Sequence, residues 1–374
     1  MPLIVTVFAK KHCRTKLFLI PLRQNMNADV LMSMYKNDPR SFKIVDGITL
    51  PAATLSGSKP QQLHLKGLNG SASQFILAAV HANDAASQLN HLVILRDAEE
   101  AAYFHNSLEN ITGALDVFYF PSSFKNKKNY QLLNSSHVML RTEALTKITQ
   151  AKNLSQAKKI VVTYPEAIFE KVVLSKTLSE NIISIKQADE LNVNTMLQRF
   201  IEHGFSKTDF VYEPGQFAIR GGILDIYSFG NEKPYRIELF GNEVDSIRIF
   251  DPETQLSERK LLQVNIIPNV ETQFETGEKV SLLEFLPENT VVWMEDWEFI
   301  REKIEDETDG VSLFTFKEID ENATDNLYVK VLNAADFVNA QTLEDEIGQR
   351  HIIEIGKKAY FGGDKDDRQR TTEH

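Results

Sequence analysis

The sequence predicts an α/β fold: a parallel sheet covered by helices on both faces, interrupted by a small antiparallel α+β module. Three observations carry this. Apolar strand-like runs alternate with helical spacing from LHLKGLNG through KKIVVTYPEAIFEKV, an order that needs crossover connections and hence parallel strands. Residues 216–250 instead read as a glycine-interrupted strand from Gln216 to Phe229, then Pro234 and the strand YRIELF, joined by a Gly241-Asn242 turn to the strand VDSIRIF. Strands joined by such two-residue turns pair antiparallel. The α/β pattern then resumes at VSLLEFLPENTVVWMEDWEFI and at the strand-like HIIEIG.

Residues 26 to about 60 read as helix and then loop, with Pro39 breaking the stretch SMYKNDPRSF. LHLKGLNGSASQFILAAVHAN reads as strand, glycine turn and helix. HLVILRDAEEAAYFHNSLENI repeats that order, with Asp97 as helix cap and Ala101, Phe104 and Leu108 at helical spacing. VFYF is a third strand and KKIVVTYPEAIFEKV another strand-to-helix unit. The expected boundaries are 26–174 for the first part of the α/β domain, 175–268 for the inserted module, 269–362 for the return into the α/β domain and 363–374 for a tail or linker. Residues 1–25 read as misassigned upstream sequence or a disordered leader, with Met26 as the expected start.

Composition narrows the function classes. At 374 residues the chain is too long for one ordinary core. No run of 18 apolar residues exists, so no membrane span is expected. The single cysteine, Cys13, supports neither a disulfide framework nor a zinc site, and a reducing cytoplasm is the expected compartment. A net charge of −11 argues against a DNA clamp, which needs clustered Lys and Arg. The basic stretch 121–160 (Lys125, Lys127, Lys128, Arg141, Lys147, Lys152, Lys158, Lys159) reads as a solvated helix face. The acidic stretch 271–325 reads as solvated surface with a flexible loop at EKIEDETDG.

The most informative string is DFVYEPGQFAIRGGILDIYSFGNEKPYRIELFGNEVDSIRIFDPETQ, from Asp209 to Gln255. In its YRIELF strand, Tyr235, Ile237 and Leu239 share one side of the pleat and suit a core. Arg236, Glu238 and Phe240 share the other, which leaves an aromatic and an arginine on a charged face. Exposed Arg and aromatic pairs are typical of binding hot spots. The plain alternative packs Phe240 under a loop and leaves Arg236 an ordinary solvated charge.

The whole string resembles the module shared by UvrB and by the amino-terminal region of the bacterial transcription-repair coupling factors (Mfd). The likeness extends over roughly residues 50–362 and is clear again at 159–172, 282–300 and 352–361. It implies a helicase-like parallel-sheet domain carrying an inserted UvrA-binding domain. It also implies that Arg220, Arg236 and Phe240 contact UvrA.

The same resemblance places a phosphate loop at Gly67, Gly70, Ser71, Ala72, Ser73 and Gln74. A working loop of this kind needs a Lys on the β/γ-phosphates and a Ser/Thr on magnesium. Ala72, Ser73 and Gln74 stand instead of the second glycine, the Lys and the Ser/Thr. The second motor motif is altered as well, reading Glu295-Asp296 where UvrB-like motors have Asp-Glu. A magnesium ligand and a water-positioning carboxylate differ in reach, so the swap matters. The region VFYFPSSFKNKKNY, with only Tyr119 and Tyr130, also lacks the Tyr-rich hairpin that UvrB uses to probe damage.

These departures favour the coupling factors over UvrB. The resemblance implies the amino-terminal part of a longer protein, with no enzymatic activity, metal or cofactor of its own and with UvrA as partner. Later domains of such a protein would bind RNA polymerase and DNA and use ATP and magnesium to translocate. A UvrB-type helicase subunit and an ATP-sensing module are the alternatives.

Overall fold

The computed structural model describes residues 28–49, 60–113, 116–126, 129–152, 158–271, 278–313 and 334–357. The readings of residues 1–25, Cys13 and the 363–374 tail lie outside them. In chain order, the strands of the two main sheets are β1 (Gln62–Leu68), β2 (Asn90–Ile94), β3 (Val117–Tyr119), β4 (Ile160–Thr163), β5 (Gln216–Arg220), β6 (Ile223–Ile226), β7 (Tyr235–Phe240), β8 (Glu243–Phe250), β9 (Ser257–Leu261), β10 (Thr290–Met294) and β11 (Ile352–Lys357). The longer helices are α1 (Ala28–Lys36), α2 (Pro39–Thr49), α3 (Ala72–His81), α4 (Ala98–Thr112), α5 (Ser135–Lys152), α6 (Val193–Glu202), α7 (Trp297–Leu313) and α8 (Ala340–Gly348).

The first sheet has the order β1-β11-β10-β2-β4-β3, and every pairing in it is parallel. Its central strands β2, β4 and β10 are buried at every position, which is why they read as unbroken apolar runs rather than alternating ones. Trp293 of β10 is fully buried and its indole Nε1 donates to His91 Nδ1 at 3.1 Å, giving the ring's one polar group a partner. On α4, Asp97 Oδ1 accepts from the Glu100 amide at 2.8 Å, while Ala101, Phe104 and Leu108 face inward. Pro39 opens α2 rather than closing a helix, since proline's missing N–H costs nothing at the first helical position.

The second sheet, β9-β8-β7-β6-β5, is antiparallel throughout and ends on the short strand Ser206–Lys207, which runs parallel to β5. Both of its tightest hairpins turn on glycine. Arg220 pairs with Ile223 across Gly221 at φ +60°, and Phe240 pairs with Glu243 across Gly241 at φ +64°. A positive φ at the first of two turn residues matches the right-handed twist of the flanking strands and excludes most side chains. Gly222 has a separate reason: a Cβ there would lie 2.7 Å from the Leu239 carbonyl oxygen. One face of this sheet packs Phe217, Leu224, Ile226, Ile237 and Ile247 against Phe200 of α6. The sheet's strands all come from residues 206–261, between the first four and the last two strands of the parallel sheet.

Two expectations are corrected. EKIEDETDG is not a flexible loop but part of α7, where Ile300, Ile304 and Val311 are buried. Apolar residues four and seven apart keep one stripe on a helix, and that stripe outweighs the surrounding acids. The 121–160 bases are not simply a solvated face either. Arg141 is wholly buried between Glu271 and Glu170, Lys159 pairs with Asp116 at 2.5 Å, and Lys158 donates to the His81 carbonyl, while Lys147 is exposed. Charge counting along a sequence cannot see partners brought in from distant segments. Among the described residues, no helix is long and apolar enough to cross a membrane.

Candidate protein-docking site

The outward face of the antiparallel sheet follows from the pleat. Tyr235, Ile237 and Leu239 of β7 turn to the core, and Arg236, Glu238 and Phe240 turn away from it. A bulge on β8 shifts the register from Glu238↔Ser246 to Leu239↔Val244, leaving Asp245 as the extra residue beside Phe240's hairpin. Phe240 is 83% exposed, so the reading that packs it under a loop does not hold.

The two arginines are held quite differently from a solvated pair. Asp225 of β6 stands directly opposite Arg236 in the β6–β7 pairing. Its side chain is fully buried, and both carboxylate oxygens are taken by guanidinium groups. Arg236 donates from Nε to Oδ1 at 2.8 Å and from Nη2 to Oδ2 at 2.9 Å, and Arg220 donates from Nη2 to Oδ2 at 2.6 Å. Arg236 also donates from Nη1 to the Gln255 carbonyl at 3.0 Å, and its guanidinium lies 4.4 Å from the centre of the Phe250 ring. The Asp225 hydrogen bonds raise the Arg236 pKa further above its already high value. Arg236 is therefore not a free surface arginine: its side chain is only 15% exposed and its fork is occupied. The expectation of an exposed Arg236 is corrected on that ground.

Arg220 keeps more freedom. Its side chain is 36% exposed, its Nη1 donates to the Asp209 carbonyl, and its guanidinium lies 4.6 Å from the centre of the Phe210 ring. Glu238, between Arg236 and Phe240 in sequence, is engaged with Ser246 Oγ at 2.6 Å and Arg248 Nη2 at 3.0 Å. Alternation placed Arg236 and Phe240 on one face, the resemblance added Arg220, and Asp225 was missed. The signal was present: in ILDI the acid alternates onto the same side as Arg236 across the hairpin, and opposite charges facing each other in adjacent strands attract.

The phosphate-loop candidates lie elsewhere, between β1 at the sheet edge and α3. Gly67 and Gly70 take positive φ angles of +82° and +55°. Ser71 precedes the helix without a side-chain cap, and the Ala72 amide closes the turn on the Asn69 carbonyl at 3.2 Å. Ser73 donates from Oγ to Gln74 Oε1 at 2.9 Å, and Gln74 is buried. From Gly67 to Gln74 there is no Lys or Arg to meet a triphosphate. Glu295 and Asp296 follow β10, two strand spacings from β1, or about 10 Å. Asp296 Oδ1 accepts from the Glu298 amide at 3.0 Å at the start of α7, which is the work of a helix cap. Burial raises the Glu295 pKa while nearby Arg96 lowers it. Among the described residues no cluster of three or more His, Cys, Asp or Glu could hold a metal.

Residues 183–271 match the family described as the UvrB interaction domain. The chain is 28% identical over 220 residues to the transcription-repair-coupling factor of Bacillus subtilis (strain 168), covering 59% of this chain and 18% of that protein. It is 34% identical over 113 residues to that of Borreliella burgdorferi, covering 30% and 10%. It is 23% identical over 219 residues to that of Escherichia coli (strain K12), covering 58% and 18%. The chain thus spans less than a fifth of the length of these curated relatives. It carries a UvrB interaction domain and, over more than half of its length, is similar to the transcription-repair-coupling factors, the family whose likeness the string 209–255 bears.

Proposed function

We propose that this chain is a recruitment module of transcription-coupled nucleotide excision repair, which docks UvrA on the outward face of its antiparallel sheet. Arg220, Arg236 and Phe240 are the residues assigned to that face. One observation carries the reading: in a module matching the UvrB interaction domain, Phe240 stands 83% exposed on a glycine hairpin, on the same face as a partly exposed arginine. A large aromatic that contributes nothing to its own core gains by filling a partner's pocket, and an arginine fork beside it can meet a carboxylate.

In this reading the α/β domain is a scaffold without ATP hydrolysis. Contact with RNA polymerase and ATP-driven movement on DNA belong to other parts of a longer protein of the same family. The test is calorimetric titration of the purified chain against UvrA, repeated with Phe240→Ala. Saturable binding by the parent and its loss in a variant that melts like the parent are expected. Equal binding by both removes the assignment.

A further inference from the structure

The buried carboxylate under the two arginines has a role that the docking reading leaves open. Arg236 spends Nε, Nη1 and Nη2 on Asp225 and Gln255 and is largely covered. Arg220 uses one donor on Asp225 and one on the Asp209 carbonyl, so a guanidinium with five N–H groups keeps donors for a partner. Two positive groups share one negative group, which leaves this three-residue cluster with net positive charge. Asp225, itself gripped by Arg236, holds Arg220 from behind, and Phe210, itself 49% exposed, supports it from the side.

Resting on the docking reading above, we propose that Asp225 is a positioning residue of this surface: it fixes Arg220 against Phe210 so that arginine and ring meet an acidic group of UvrA as one preformed unit, with Arg236 bracing the carboxylate. The physical reason is entropic and electrostatic. A long side chain ordered before binding need not be ordered by it. Without the carboxylate, Arg220 and Arg236 would also repel each other. The loop that carries Phe210 belongs to the same assembly, because Gln255 Nε2 donates to the Val211 carbonyl at 3.2 Å and the Gln255 carbonyl in turn accepts from Arg236.

The experiment is titration of UvrA with the full chain and with Asp225→Asn, Arg220→Ala, the double variant, Phe210→Leu and Phe240→Ala, well below each melting midpoint. Asp225→Asn keeps the shape, removes the charge and should weaken binding roughly tenfold. In the Arg220→Ala background the same change should have almost no further effect on affinity. A purely structural aspartate would lower the melting midpoint and leave the affinity of the folded protein unchanged, and that outcome overturns the proposal. If Asp225→Asn does not fold, Phe210→Leu decides. Weaker binding with an unchanged melt supports the preformed unit, and parental affinity overturns it. Phe240→Ala separates the two readings. Parental binding by that variant sinks the docking surface itself, whereas its loss alongside unaffected Asp225→Asn and Phe210→Leu sinks only this inference.

Discussion

Arg141 and Glu271, 130 residues apart in sequence, meet inside the protein with Arg141 Nε donating to Glu271 Oε1 at 2.6 Å, and neither side chain is more than 4% exposed. The arginine also donates from Nη1 to the Pro121 carbonyl at 2.9 Å and lies 3.5 Å from Glu170 Oε2. Glu170 is held in turn by the Ser122 hydroxyl and the Ser123 amide, each at 2.8 Å. Glu271 is the last residue of the matched 183–271 domain, so this pair ties the end of that domain to helix α5. Arg141→Met would leave two buried carboxylates without their cation. A loss of about 3–5 kcal/mol is expected, against less than about 0.5 kcal/mol for the exposed Lys147→Ala. Urea unfolding at neutral pH distinguishes them, and equal midpoints for both variants would contradict a buried ion pair.

Phe240 and Arg236 should separate binding from stability. Phe240→Ala removes a ring that is 83% exposed, so the change in stability should stay within about 0.5 kcal/mol. Arg236→Ala strips Asp225 of its bidentate partner and uncovers the Phe250 ring. A cost of about 3 kcal/mol is expected, because a buried carboxylate is left with Arg220 alone. Thermal melts of the two variants check this. If Arg236→Ala melts like the parent, the occupied fork contributes nothing to folding.

These contrasts show what the sequence could and could not say. The parallel sheet and the Gly241 hairpin were legible from period and turn chemistry, because β2, β4 and β10 are buried on both faces and Gly241 sits where only glycine turns easily. Gly221-Gly222, by contrast, read as an interruption within one strand from Gln216 to Phe229, is a second hairpin that reverses the chain. Alternation likewise put Phe240 on the outer face. Burial of a charged residue was not legible. Arg141 looks like a solvent-facing base until a segment 130 residues away delivers Glu271, and no local pattern encodes that. For Arg236, alternation offered Asp225 as a partner but not the depth at which the pair is buried. The helix through EKIEDETDG was hidden for the opposite reason, since its acids drew more notice than the spacing of Ile300, Ile304 and Val311.

Acid should destabilise the α/β core through its paired histidines. Burial, with Lys158 as the next cause, lowers His81 to about 4, and burial pushes the fully enclosed His91 well below its ordinary value. The two rings lie 5.6 Å apart, edge to face. The unfolded chain protonates both near pH 6.5, whereas the folded chain keeps His81 neutral down to about pH 4. Stability is therefore fully present above that upper value and is lost as the pH falls through the window. His81 alone should contribute a slope approaching about 1.4 kcal/mol per pH unit once the pH is well inside it. Half-buried Glu143 and Glu346, whose pKa values desolvation raises, act in the opposite sense, so the informative comparison is with His81→Leu. Its urea midpoint should fall less steeply than the parent's between about pH 7 and pH 5. Parallel profiles would mean that His81 is protonated in the folded state.

The chain should not hydrolyse ATP, and restoring the missing loop residues should not change that. Ser73 and Gln74, which the sequence resemblance sets at the positions of the lysine and the magnesium-binding hydroxyl, bond to each other, and Gln74 is buried. Phosphoryl transfer depends on cations that neutralise charge on the transferring group, and none is supplied from Gly67 to Gln74. Ser73→Lys with Gln74→Thr would return one cation and one hydroxyl. It would not restore the Asp-Glu order at the end of β10, where Glu295 comes first and Asp296 caps α7. The measurement is phosphate release from ATP with and without magnesium, for the parent and the double variant. Background rates are expected for both. Magnesium-dependent turnover by the parent that disappears on Gly70→Ala, at a position whose φ of +55° strains any other residue, would show a working nucleotide site.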